Sequence, residues 1–117
     1  MKHPERVEDY LEHLAEVTGH AIAFMQSVDS VAALERDLKT QAAVIRCIEI
    51  IGEAATRIQK QNPQFVAAHP ELPWTEMRSM RNRLIHNYFD VNLDVLWNTV
   101  KDDLPSLKQQ VEALLKQ

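Results

Sequence analysis

The chain has 117 residues, 45% of them hydrophobic but only 6% aromatic, with two glycines, five prolines and one cysteine. That length holds one domain with a real core and not two, and a lone cysteine excludes an internal disulfide framework. A formal charge of −4 argues against general coating of nucleic acid, so any polyanion has to be held by a local basic patch.

Few breakers and few aromatic residues favour helices over sheets. A first helix is expected over about 4–27, where Val7, Tyr10, Leu11, Leu14, Val17, Ala21, Phe24, Met25 and Val28 recur at three- and four-residue steps and draw one apolar stripe. His13 and His20 lie on this helix with Glu16 between them. Spacing fixes no third strong ligand there, so no metal or other cofactor is assigned. Asp29 and Ser30 are placed to cap a short helical piece ending near Arg36.

A second long helix is expected from Leu38 to Gln61. Its apolar positions, from Ala42 through Ile58, cover more than one stripe, which implies burial on two sides, the second of them against another subunit. Cys47 falls inside this run and reads as a small buried hydrophobe rather than a nucleophile. Gly52 in mid-helix costs about 1 kcal/mol against alanine, which implies that another backbone comes close there. Glu53 stands four residues before Arg57, as a surface ion pair would.

Asn62-Pro63 ends that helix, and 63–72 is expected to connect, with one short helical turn. A third main helix is expected over roughly 74–89. Asn92 with Asp94 opens a last one, striped by Leu93, Leu96, Val100, Leu104, Leu107, Val111 and Leu114. Pro105 should break or bend this helix, with Asp102 or Asp103 capping the restart. The expected architecture is an all-α antiparallel bundle of four main helices, formed by residues 1–117 as a single domain. No apolar run approaches the ~20 residues that span a bilayer, and no charged-then-apolar leader opens the chain, so a cytoplasmic location away from membranes is expected.

Chemistry concentrates in the third main helix. Three of the seven arginines (Arg78, Arg81 and Arg83) stand within eleven residues of each other, together with Asn82, His86 and Tyr88. Solvated arginines and a surface histidine are the ordinary reading of such a face. The order of the residues points elsewhere. Arg81-x4-His86-x-Tyr88 resembles the R-x4-6-H motif of HEPN ribonucleases, and with the tyrosine it is similar to the HepT toxin branch. The resemblance extends to Ile51-Gly52-Glu53-Ala54, to Pro73-Trp74, and to Val91 through Trp97. It implies a further role for Glu53 beside the motif helix.

Those residue types suit metal-independent cleavage of RNA. A 2′-hydroxyl attacking the adjacent phosphate needs a base, the departing 5′-oxygen needs an acid, and the phosphorane needs cations. Imidazole, with an unperturbed pKa of about 6.5, serves the first two needs. A guanidinium fork matches two phosphate oxygens and stays charged. His86 is thus the expected general base or acid and Arg81 the phosphorane stabiliser. Asn82 would orient the imidazole or bind phosphate, and Arg78 and Arg83 would hold flanking backbone.

One chain supplies one imidazole where two groups are needed. On a continuous helix, Arg81 and His86 would also stand about 140° apart. A homodimer with two motif helices facing across a two-fold axis meets both difficulties, and the resemblance implies the same composite site. It further implies that Tyr88 receives AMP from a partner antitoxin carrying a minimal nucleotidyltransferase domain. The ordinary reading of Tyr88 is a ring packed beneath the helix end with its hydroxyl in water. Two other classes stay open: a non-catalytic subunit that binds nucleotide or phosphate for a partner enzyme, and a structural helical dimer with solvated arginines.

Overall fold

In a computed structural model, which describes residues 6–87 and 90–117, the chain is helical almost throughout. Helix α1 (Val7–Met25) is followed by the short α2 (Val31–Glu35) and the long α3 (Leu38–Gln61). Ser30 caps α2, its hydroxyl accepting from the Ala33 amide at 3.1 Å. Asp37 caps α3 by accepting from the Thr40 amide and hydroxyl, and these two bonds hold its carboxyl below the ordinary aspartate range. Helix α4 (Pro63–Ala68) starts on Pro63, whose missing N–H costs nothing in a first turn. Helix α5 (Trp74–Leu84) begins after Pro73, with the Trp74 indole N–H donating to the His69 carbonyl at 2.9 Å.

The expected stripes become the core. Tyr10, Leu14 and Met25 of α1, Ile48, Ile51 and Ile58 of α3, and Met77 and Leu84 of α5 are fully buried. One stripe residue departs from expectation: Phe24 is 43% exposed, with the His20 ring stacked 6.0 Å away. The buried Met25 takes the neighbouring inward position in the last turn of α1. Cys47 is buried as well, and loss of solvent pushes its thiol pKa up.

Helix α3 packs against α1 on one side and α5 on the other, while α1 also packs against the C-terminal helix. The wide apolar arc of α3 therefore finds both of its partners inside the chain, and the arc by itself does not call for a second subunit. What remains outside is its N-terminal end, where Leu38 is 74% exposed and Ala42 is exposed beside it in the helical period.

The motif helix is shorter than expected. It ends at Leu84 and gives way to β1 (Ile85–Asn87), which pairs antiparallel with β2 (Asp90–Val91) in the register Ile85 with Val91 and Asn87 with Asp90. The physical reason lies in Asn92. Its backbone N–H donates to the Leu84 carbonyl at 2.7 Å, satisfying one of the acceptors that a helix end leaves open. Its side-chain oxygen accepts from the Val95 amide at 3.1 Å and caps α6 (Leu93–Asn98). One asparagine thus ties the end of α5 to the start of α6, while β-branched Ile85 and Val91 suit the extended backbone between them.

The second departure is at Pro105. Neither Asp102 nor Asp103 caps a restart. The backbone instead passes through a π-helical segment (Thr99–Asp103), with the Leu104 N–H reaching back to the Thr99 carbonyl, and continues as α7 (Leu104–Leu115). Proline lacks its N–H, and its ring crowds the carbonyl four residues back. Widening the turn relieves that crowding without ending the run, and Leu96, Val100, Leu104, Leu107, Val111 and Leu114 all stay buried. No helix of the described residues is long and apolar enough to cross a membrane.

Gly52 meets the backbone of α5. A Cβ built on it would lie 3.2 Å from the Met77 carbonyl oxygen and 3.6 Å from that of Arg78. A carbonyl held in a helix yields little, so a branched side chain here forces α3 and α5 apart. Gly52→Val is expected to lower stability by about 1–2 kcal/mol, overpacking outweighing the small gain in helix propensity. Chemical denaturation of the purified variant checks this.

Candidate functional site

The close approach at Gly52 decides which side chains meet. Because the α5 backbone rests on α3 at Met77 and Arg78, the next turn of α5 hangs over the α3 turns before and after Gly52. A groove of about 330 Å³ opens there, lined by Arg46, Glu49 and Glu53 from α3 and by Arg78, Arg81 and Asn82 from α5. Three of the residues expected to act on phosphate thus share one concavity.

Arg81 is held by a contact that the sequence did not disclose. Its Nε donates to Glu49 Oε2 at 3.0 Å, and the Arg46 guanidinium stands 3.9 Å from the other oxygen of the same carboxylate. Among the described contacts only Nε of Arg81 is engaged. The terminal nitrogens form the fork that grips paired oxygens. Glu49 is 34% exposed and Arg81 49% in their side chains, so water screens the pair and its energy is small. Its value lies in fixing where the guanidinium points.

Glu49 was legible only in hindsight. It sits three residues before Gly52 and three after Arg46, on the face turned to α5, but nothing local marked it apart from other surface glutamates. Glu53 makes the expected ion pair with Arg57 at 3.4 Å, and its position also lines the groove with Arg78 and Arg81.

Arg83 is placed elsewhere. Two residues beyond Arg81 is about 200° around a helix, and Arg83 lines a separate depression with Glu76, Asp102 and Asp103, its Nη2 donating to the Glu76 carbonyl at 3.4 Å. It does not join Arg78, Arg81 and Asn82. His86 falls in β1 and not on α5, so the 140° separation expected from a continuous helix does not apply. Its side chain and the whole of Tyr88 lie outside the described residues. Among the described residues, no group of three or more His, Cys, Asp or Glu side chains is arranged to hold a metal ion, and His13 and His20 do not form part of one.

A family model described as Ribonuclease HepT-like matches residues 7–114. The chain is 48% identical over 112 residues to the "Probable ribonuclease HepT" of Thermococcus cleftensis, covering 93% of this chain and 96% of that one. It is 38% identical over 106 residues to "Putative RNase MJ1380" of Methanocaldococcus jannaschii, covering 91% and 94% of the two chains. It is 35% identical over 107 residues to "Putative RNase TTE0752" of Caldanaerobacter subterraneus, covering 92% of each. No solved structure matches.

A double-mutant cycle on Glu49→Gln and Arg81→Gln should return a coupling of about 0.2–1 kcal/mol that shrinks as salt is added. Denaturant titrations at two ionic strengths measure it, and a coupling of several kcal/mol would mean that the pair is far drier than its exposure indicates.

Proposed function

Since the chain belongs to the HepT-like ribonuclease family, we propose that it is a metal-independent endoribonuclease toxin whose active site is completed by a second copy of itself. The observation that carries this reading is Arg81. It opens the Arg81-x4-His86-x-Tyr88 motif, and it is pinned through Nε in a groove that also holds Arg78 and Asn82. A fixed guanidinium is what developing charge on phosphorus requires, because no reorganisation is then needed as the charge appears.

In the proposed reaction the 2′-oxygen of one nucleotide attacks the adjacent phosphorus as its proton passes to an imidazole. The 5′-oxygen of the next nucleotide leaves, taking a proton from a second acid. The products are a 2′,3′-cyclic phosphate and a 5′-hydroxyl. His86 from each of two protomers supplies the base and the acid. Arg81 bears on the phosphorane, Asn82 orients the imidazole or holds a phosphate oxygen, and Arg78 holds flanking backbone. Arg83, on the other face of α5, has no part in the cleft of its own protomer. His86→Ala and Arg81→Ala are each expected to abolish cleavage, at least about a hundred-fold, while leaving the dimer intact by light scattering. Wild-type cleavage should persist in EDTA. Retained cleavage by either purified variant refutes the assignment.

Control is proposed to come from a minimal nucleotidyltransferase antitoxin. The phenolic oxygen of Tyr88 would attack the α-phosphorus of ATP, releasing pyrophosphate and leaving AMP on the tyrosine. Two residues from His86, that adduct would add bulk and negative charge where RNA has to bind. Co-expression with such an antitoxin should add one adenylyl mass to the wild-type chain and none to Tyr88→Phe, which should remain toxic. Adenylyl mass on the Tyr88→Phe protein would remove Tyr88 as the modified residue.

A further inference from the structure

The groove at Arg81 continues along α3. Arg46 and Glu53 line both it and a second depression of about 200 Å³ between α1 and α3, whose walls include His13 and Arg57. Glu53 and Arg57 also line a third depression with Lys60 and Gln61. The three are neighbours that share these walls, a trough-like line of depressions along α3. Arg46, Glu53, Arg57 and Lys60 recur at steps of seven, four and three residues, so they lie on one stripe of α3. The axial distance from Arg46 to Lys60 is about 21 Å.

The charge along this trough runs against the rest of the chain. Arg46, Arg57, Lys60, Arg78 and Arg81 face it with only Glu49 and Glu53 among them, in a protein whose formal charge is −4. Both carboxylates sit in ion pairs with these cations, Glu53 with Arg57 at 3.4 Å and Glu49 with Arg46 and Arg81. Partly exposed pairs of this kind are worth at most about 1 kcal/mol, so they hold the guanidinium groups in place without closing them to a phosphate.

We infer that the trough along α3 beyond Arg46 is a second nucleic-acid subsite, one that binds the sugar–phosphate backbone of single-stranded RNA flanking the bond cut beside Arg81. Arg46 links the two subsites, and Arg57 with Lys60 takes the distal phosphates. A cationic groove that follows a helix for several nucleotides, without a fixed pattern of base contacts, binds a strand by its charge and not by its sequence. The inference rests on the ribonuclease reading for the identity of the polyanion. Arg46, Arg57 and Lys60 do not touch the reacting atoms, and their effect is confined to binding.

The test uses the full-length chain and 2′-O-methyl RNA, which lacks the attacking hydroxyl and stays intact. Fluorescence anisotropy compares a trinucleotide with a twelve-nucleotide strand across a salt series. Arg57→Ala with Lys60→Ala should weaken the longer strand about ten-fold and lower its salt slope by about 1.4, roughly 0.7 for each lost phosphate contact on a single strand. Trinucleotide binding should not change. Glu53→Gln should tighten the longer strand, a gain that no loss of folding can mimic. Unchanged affinity in both variants overturns the subsite, as does a wild-type protein that holds the long strand no better than the short one. Cleavage of unmodified RNA is measured in parallel. Cleavage with no effect of these variants sinks the trough and spares the ribonuclease, whereas strand binding that depends on Arg57 and Lys60 without any cleavage does the reverse.

Discussion

Everything at the site depends on two backbones touching where a side chain is missing. The Met77 carbonyl lies 3.2 Å from the place of a Gly52 Cβ, closer than a side chain there would ordinarily let it come. That contact sets the height of α5 above α3, and with it the reach from Arg81 to Glu49. A glycine in the interior of a long helix weakens the helix by about 1 kcal/mol. Here the loss is offset by burial of Met77, Met80 and Leu84 against a partner close enough to pack on.

The site is correspondingly built on rigid elements. Arg46, Glu49 and Glu53 belong to the longest helix of the described residues, and Arg78, Arg81 and Asn82 to a helix buried along its other face. Such supports leave no backbone to be ordered when a ligand arrives, and only the side chains still lose freedom. The carboxylates among the arginines serve the same end: they orient cations that would otherwise sweep a wide volume on long flexible stems.

Much of this was legible in the sequence, for physical reasons that differ from element to element. The stripe of α1 and the bounds of α3 could be read because apolar periodicity is set by burial. Gly52 could be read because its cost demanded a benefit. The end of α5 could not. Its residues up to Tyr88 are tolerable helix formers, and what stops the helix is a hydrogen bond from Asn92, eight positions after Leu84. Periodicity carries no trace of a bond that depends on where the chain returns. Glu49 was hidden for a related reason, since only tertiary packing distinguishes it from its exposed neighbours. Arg83 was grouped with Arg78 and Arg81 by proximity along the chain, although the helical turn sends it to the opposite side.

The strand that follows Leu84 has a bearing on how such a motif can vary. Were Arg81 and His86 on one continuous helix, each inserted residue would rotate one about the other by about 100°. Because the helix stops between them, added length after Leu84 enters extended or looped backbone, and the arginine keeps its bearing on α3. A residue added between Leu84 and His86 would thus shift the backbone that carries the imidazole and leave the guanidinium where Glu49 meets it.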